Sequence, residues 1–192
     1  MSLKQKTITG TKWTTVASII IAITSIVKLS VLTRFLDKED FGLMALVNVV
    51  LGFMTLFMDM GLTSAILHKQ NITKNEYSSL YWLNILFSVL LTIIIMGISP
   101  FLAEFYNEKK LTTLLILMSL SLFISALGKQ FKTIKQKALE FKFISIVDIS
   151  AVLISLILAV ILALLDYGVY SLVYSALLNF ILTNTIYLIV GI

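Results

Sequence analysis

Two ionisable residues stand where an oily chain has least room for them: Lys28 inside the apolar run 13–35, and Asp59 inside the run 42–66. A charge at the bilayer centre costs at least about 2.5 to 3.5 kcal/mol on insertion scales, so such groups face protein or water and turn away from lipid. Lys28 is about 14 residues into its run and Asp59 about 9 from the far end of its own, so at about 1.5 Å of rise per residue neither reaches a membrane surface. Two arrangements satisfy both: a buried structural ion pair, or a water-filled cavity whose cation meets an anionic ligand and whose acid takes up a proton. Asp148 lies nearer the inner surface and fits either ion linkage or a structural role. Arg34 ends the first run, where its long stem either snorkels to the surface or reaches a ligand.

Weaker polar groups are arranged around these charges at helical spacing. Ala45, Asn48, Gly52, Thr55 and Asp59 are separated by steps of three and four, which is one face of an α-helix, and Tyr81, Asn84, Ser88 and Thr92 repeat the pattern further on. Thr14, Ser18, Ala22, Ser25 and Lys28 line one side of the first run, and Ser171, Ser175 and Asn179 one side of the last. Small and hydroxyl residues also let helices approach and hydrogen-bond, so packing alone accounts for many of these positions. The amides of Asn48 and Asn84 are the stripe residues best suited to a polar ligand.

Enzyme chemistry has no foothold in the sequence. There is no HExxH, no glycine-rich phosphate loop, no GxSxG and no helix-spaced pair of acids for a metal. Cysteine is absent and His68 is alone, so neither a thiolate nor a metal cluster is expected, and no cofactor is implied.

The elements that must position these residues follow from composition. Of 192 residues 59% are hydrophobic and 13% charged, with a single proline and a mean hydropathy of +1.02, far from the roughly 25% charge of a soluble domain. Runs long enough to cross a bilayer, about 20 residues each, cover 13–35, 42–66, 79–103, 111–128, 144–165 and 168–190. Stretches such as LILMSLSLFISAL do not alternate as barrel strands do, so the expectation is an all-α, six-helix membrane bundle. The lysines before the first run imitate a signal peptide, but the run is too long and lacks a small-x-small cleavage site, so it reads as a retained helix.

Lys4, Lys6, Lys12, Lys69, Lys74, Lys129, Lys132, Lys135, Lys137 and Lys142 fall on one side of the spans, and Arg34, Lys38, Lys109 and Lys110 on the other. Ten against four predicts a cytoplasmic amino terminus. The stretch KQFKTIKQKALEFKF, 129–143, combines five of these lysines with Phe131, Ile134, Ala138 and Phe141 at helical spacing. It is expected to lie flat on the inner leaflet, in contact with membrane lipids. Those lysines are then committed to the membrane surface and no nucleic acid is expected as a partner. DFGLMALV at 40–47 returns as DYGVYSLV at 166–173, each where a helix turns inward from the outer side. Asp40 and Asp166 suit helix caps there, and Gly42 and Gly168 a tight entry or a close crossing.

RFLDKEDFGLMALV at 34–47, MDMGLTSAIL at 58–67, ALEFKF at 138–143 and DYGVYSLV at 166–173 together resemble the amino-terminal half of bacterial polysaccharide exporters. These are the Wzx-type flippases of the multidrug/oligosaccharidyl-lipid/polysaccharide superfamily, in the colanic-acid and teichuronic-acid branch. The resemblance covers nearly the whole chain. It implies a non-enzymatic transporter of polyprenyl-diphosphate-linked oligosaccharide in the bacterial inner membrane, working with polysaccharide-assembly proteins. It further implies two six-helix lobes in a V around a hydrophilic cavity, with Lys28 as the leading cation for the diphosphate, Arg34, Asn48 and Asn84 as further contacts, and Asp59 in coupling or structure. On this reading residues 1–192 are one lobe, the second lobe is missing and the chain is a fragment; a half-size protein would need a second copy of itself. A drug or cation exporter of the same superfamily, and a membrane scaffold holding glycosyltransferases through 129–143, are the alternatives.

Overall fold

The computed structural model describes residues 3–58 and 73–191. Asp59, His68, Lys69 and the far end of the second run lie outside the described residues. Within them the fold is all-α as expected, with six helices: α1 Leu3–Leu32, α2 Lys38–Met58, α3 Lys74–Phe105, α4 Lys109–Lys137, α5 Phe141–Leu164 and α6 Val169–Gly191. All six are long and apolar enough to cross a membrane. In hydrocarbon a backbone must satisfy its own hydrogen bonds, which a continuous helix does without help.

Local chemistry sets where the helices begin and stop. A capping box opens α3: the Thr73 hydroxyl accepts from the Glu76 amide at 3.3 Å, and the Glu76 carboxylate accepts from the Thr73 amide at 3.0 Å. Helices α3, α4 and α5 each end in the same way, with one residue in the left-handed region: Asn107, Leu139 and Asp166, at φ of 56°, 60° and 57°. In each case two amides fold back onto the last turn, Glu108 to Ala103 and Asn107 to Glu104, Glu140 to Lys135 and Leu139 to Gln136, Tyr167 to Leu162 and Asp166 to Ala163. This paired closure satisfies carbonyls the helix end leaves open and reverses the chain within a few residues. Helices α3 and α4, and likewise α5 and α6, therefore form antiparallel hairpins, and a tight turn joins α4 to α5.

Two expectations are corrected by these closures. The 129–143 stretch is not a separate helix lying flat: α4 runs on to Lys137, and the chain turns at once into α5. Nothing in GKQFKTIKQK breaks a helix, and Lys132 gains an acidic partner inside the bundle by staying in it. Asp166 is no amino-terminal cap but the left-handed residue that closes α5, while Asp40 lies in the first turn of α2. The two echoed phrases nevertheless meet. Gly168, itself at φ 53°, lies so close to α2 that a β-carbon on it would sit 3.4 Å from the Asp40 carboxylate. Gly42 has open space beside it and makes no close crossing.

Helix α4 is the centre of the bundle, with half of its apolar window buried against 17% for α1. It packs along α3 on one side and α6 on the other; α5 lies against α6, and α1 against α5. Helix α2 touches α4, α6 and α3 more lightly. The main core joins Leu43, Val47 and Leu51 of α2 to Leu91 and Ile95 of α3, Leu114, Leu115 and Met118 of α4, and Val169 and Val173 of α6. Close approach depends on small residues. Ala151, Ser155, Ala159 and Ala163 make a buried ridge along α5, and Gly128 of α4 lets the backbone of α6 pass so near that a β-carbon would lie 2.6 Å from the Asn184 α-carbon. Ile19, Ile23, Phe53, Leu86 and Ile157 point outward, as lipid-facing side chains should.

Candidate functional site

The arrangement of α1 on α5 and α2 on α4 leaves a space between them. A cavity of about 570 Å³ is lined by Asn48, Gly52 and Thr55 of α2, Ser121, Ser125, Lys129 and Lys132 of α4, Asp148 of α5, and Asn179, Thr183 and Asn184 of α6. A second chamber of about 260 Å³ adjoins it, lined by Thr24, Ser25 and Lys28 of α1, Ser155 of α5 and Ser175 and Asn179 of α6. Val152, Ala176, Asn179 and Phe180 belong to both walls. The two chambers thus form one path along α6, its polar groups set among apolar side chains.

Lys28 occupies the smaller chamber, half-buried, with its ammonium donating to the Ser175 hydroxyl at 2.8 Å. Ser175 in turn donates to the Leu172 carbonyl at 2.9 Å, and Asn179 donates to the Ser155 hydroxyl at 3.4 Å. Here a charge meets neutral oxygen. Among the described residues no acid lines this chamber.

At the other end of the path the charges are paired. The Lys132 ammonium donates to both oxygens of Asp148, at 2.7 and 3.0 Å, and the Tyr187 hydroxyl donates to one of them at 3.2 Å. The ammonium also lies 5.5 Å from the centre of the Tyr187 ring. Tyr187 is only 1% exposed, whereas the Lys132 and Asp148 side chains keep 31% and 23% of their surface open. The pair therefore sits on a wall: backed by a buried phenol, open to the cavity.

The residues singled out by sequence are placed as follows. Lys28, Asn48 and Asp148 line the joined chambers. Arg34 is exposed in the turn after α1 and borders neither chamber, and Asn84 is buried between α3 and α4, where its amide donates to the Ala126 carbonyl at 3.4 Å. The rest of the α3 stripe is also packing: Thr92 donates to the Ser88 and Ser119 carbonyls at 2.8 and 3.2 Å. Of the five lysines expected at the membrane surface, Lys129 and Lys132 line the cavity instead. Lys135 pairs with Glu140 at 2.9 Å, and Lys142 lies 5.5 Å from the Trp13 ring centre, both around the α4–α5 turn with Lys137. Lys132 and Tyr187 as partners of Asp148 escape a reading of the sequence, although a signal for Tyr187 exists. The stripe Ser171, Ser175, Asn179 continues in steps of four to Thr183 and Tyr187.

Chemically, the described lining sets amides, hydroxyls, three lysines and one carboxylate among apolar side chains such as Leu51, Met118, Leu122 and Phe180. Among the described residues no three His, Cys, Asp or Glu side chains gather as metal ligands. Such a lining suits a hydroxyl-rich or anionic guest.

A family model described as polysaccharide biosynthesis protein matches residues 31–191. The chain is 32% identical over 191 residues to a membrane protein in the cps region of Klebsiella pneumoniae, covering 100% of this chain and 39% of that protein. It is 33% identical over 153 residues to the lipopolysaccharide biosynthesis protein WzxC of Escherichia coli K12, covering 80% of this chain and 31% of the relative. It is 30% identical over 148 residues to the teichuronic acid biosynthesis protein TuaB of Bacillus subtilis 168, covering 77% and 31% respectively. The chain thus spans between 31% and 39% of the length of these relatives. No solved structure matches it.

Proposed function

The chain belongs to the polysaccharide biosynthesis protein family, and from that premise we propose that it forms one lobe of a transporter moving a polyprenyl-diphosphate-linked oligosaccharide across a bacterial inner membrane. The work is translocation by alternating access, without covalent chemistry. Residues 1–192 act as a single six-helix lobe, the amino terminus faces the cytoplasm, and lipid-linked oligosaccharide and membrane lipids are the partners.

One observation carries the proposal: Lys28, in the last turns of a helix of membrane-spanning length, faces a chamber with polar walls and a serine hydroxyl. A half-buried cation with no acid beside it among the described residues is costly for a structure that needs only to stand in lipid, and useful for one that receives an anion. Lys28 is therefore the contact for the diphosphate, with Asn48 and Asn179 offering amides to the sugar or phosphate oxygens. Arg34 and Asn84 border neither chamber and drop out of the binding set.

Lys28→Ala in the full-length protein is the test. Surface-polysaccharide export is expected to fall by about tenfold or more, the loss of one charge-assisted contact of about 1.5 to 3 kcal/mol, while membrane insertion and protein level stay unchanged. Lys28→Arg should recover part of the activity. Wild-type export by a normally expressed Lys28→Ala protein would remove the residue from the site and the proposal with it.

A further inference from the structure

Resting on that reading, we propose that Lys132 is a second station for the diphosphate-bearing anion, masked by Asp148 as a built-in competitor until the anion takes the ammonium. The Lys28 and Lys132 stations occupy opposite ends of one polar face. Lys28 meets α6 at Ser175 and Lys132 meets it at Tyr187. Those positions are about 18 Å apart along a helix rising about 1.5 Å per residue. Between them Asn179, Thr183 and Asn184 continue the polar wall without an acid.

Three features distinguish this pair from an ordinary structural salt bridge. First, it lines the cavity and keeps part of its surface open, so a soluble group can reach the ammonium. Second, Asp148 is the one acid among the described residues of that wall and bonds the Lys132 ammonium through both oxygens, so its removal frees that ammonium. Third, Asp148 has another donor waiting. When Lys132 turns to a ligand, the Tyr187 hydroxyl at 3.2 Å still holds the carboxylate, which lowers the cost of leaving that charge unpaired. A carboxylate and a phosphate compete for one ammonium by the same charge-assisted hydrogen bonds, so the pair is exchangeable by construction. With an inner and an outer cation, the guest's anionic head always has a partner within the path.

The experiment is calorimetric binding of inorganic pyrophosphate to the full-length protein in neutral detergent. Lys132→Ala is expected to weaken binding about tenfold, and Asp148→Asn to strengthen it about fivefold, the double variant matching Lys132→Ala alone. An Asp148→Asn protein of wild-type thermal stability that binds no better, or a Lys132→Ala protein that binds as wild type, overturns the proposal. Should Asp148→Asn fail to fold, Tyr187→Phe decides: without the reserve donor, affinity should fall about two- to threefold, and only while Lys132 is present. Unchanged affinity overturns the competition. Soluble short-chain phosphatidylglycerol added to the same sample separates the sources of phosphate. If it displaces pyrophosphate at equal concentration, the station takes phospholipid heads and the diphosphate assignment falls. Failure here leaves the Lys28 export test untouched, and loss of the Lys28 result leaves this binding test readable.

Discussion

Helices α2 and α3 carry stripes of nearly the same residues in opposite surroundings. Asn48, Gly52 and Thr55 of α2 border the cavity, while Asn84, Ser88 and Thr92 of α3 are buried against α4, with Asn84 and Thr92 bonded to its carbonyls. The residue types are alike; the neighbours differ. Helix α3 has a full-length partner in α4, with which it forms a tight hairpin, so its polar groups close onto a backbone. Helix α2 is only lightly held and leaves its stripe facing a space that α1 does not fill. A polar stripe in a membrane helix thus marks a wet surface only where no helix lies along it, and otherwise marks a seam.

The largest effect that can break this contrast is chemical access. The sequence has no native cysteine, so single cysteines report without background. Cysteines at 28, 48 and 55 should react with a charged, water-soluble thiol reagent, and those at 84, 88 and 92 should react roughly a hundredfold more slowly, since a buried site labels only through local opening. Equal rates in the two groups would erase the distinction between cavity and seam.

Much of this was legible from residues alone. Apolar length set the six helices, and the deep charge of Lys28 pointed to a polar interior. The two stripes could not be told apart, because 3.6-residue spacing says which side chains share a face and nothing about what that face meets. The cavity position of Lys132 is hidden in the sequence for a related reason. Five lysines in fifteen residues look like a membrane-surface patch, yet the helix does not end where hydrophobicity does, and the turn comes only at Ala138–Glu140. Asp148 found its partners 16 residues before it and 39 after it, a pairing set by how α4, α5 and α6 stack. Likewise, the likeness of residues 40–47 to 166–173 gave no hint that Asp40 would lie beside Gly168.

A substitution at the crossing of α4 and α6 sharpens the contrast from the other side. Gly128→Val places side-chain atoms where the Asn184 backbone already is, and that backbone cannot yield as a flexible side chain would. Overpacking of this kind costs about 1 to 3 kcal/mol. The same change at Gly52, which has open space beside it on the cavity wall, should leave thermal stability within about 0.5 kcal/mol and act on export instead. Equal melting temperatures for the two variants would mean that α4 and α6 do not touch as described.

The smallest effect is the most discriminating, because it compares one residue type with itself. Asn84→Leu removes a long hydrogen bond of 3.4 Å to Ala126, and interhelical bonds inside membranes are worth about 0.6 kcal/mol on average. The carbonyl it leaves lies within α4, and leucine regains part of the loss by filling the apolar seam. Stability should therefore drop by less than about 1 kcal/mol, with export unchanged. Asn48→Leu should do the reverse: no packing contact is lost on the cavity wall, so the melting temperature holds, but a donor and an acceptor for the guest disappear and export falls several-fold. Measured side by side in the same cells, export that tracks position 84 and ignores position 48 would place the working surface on α3, and the path along α6 would lose its role.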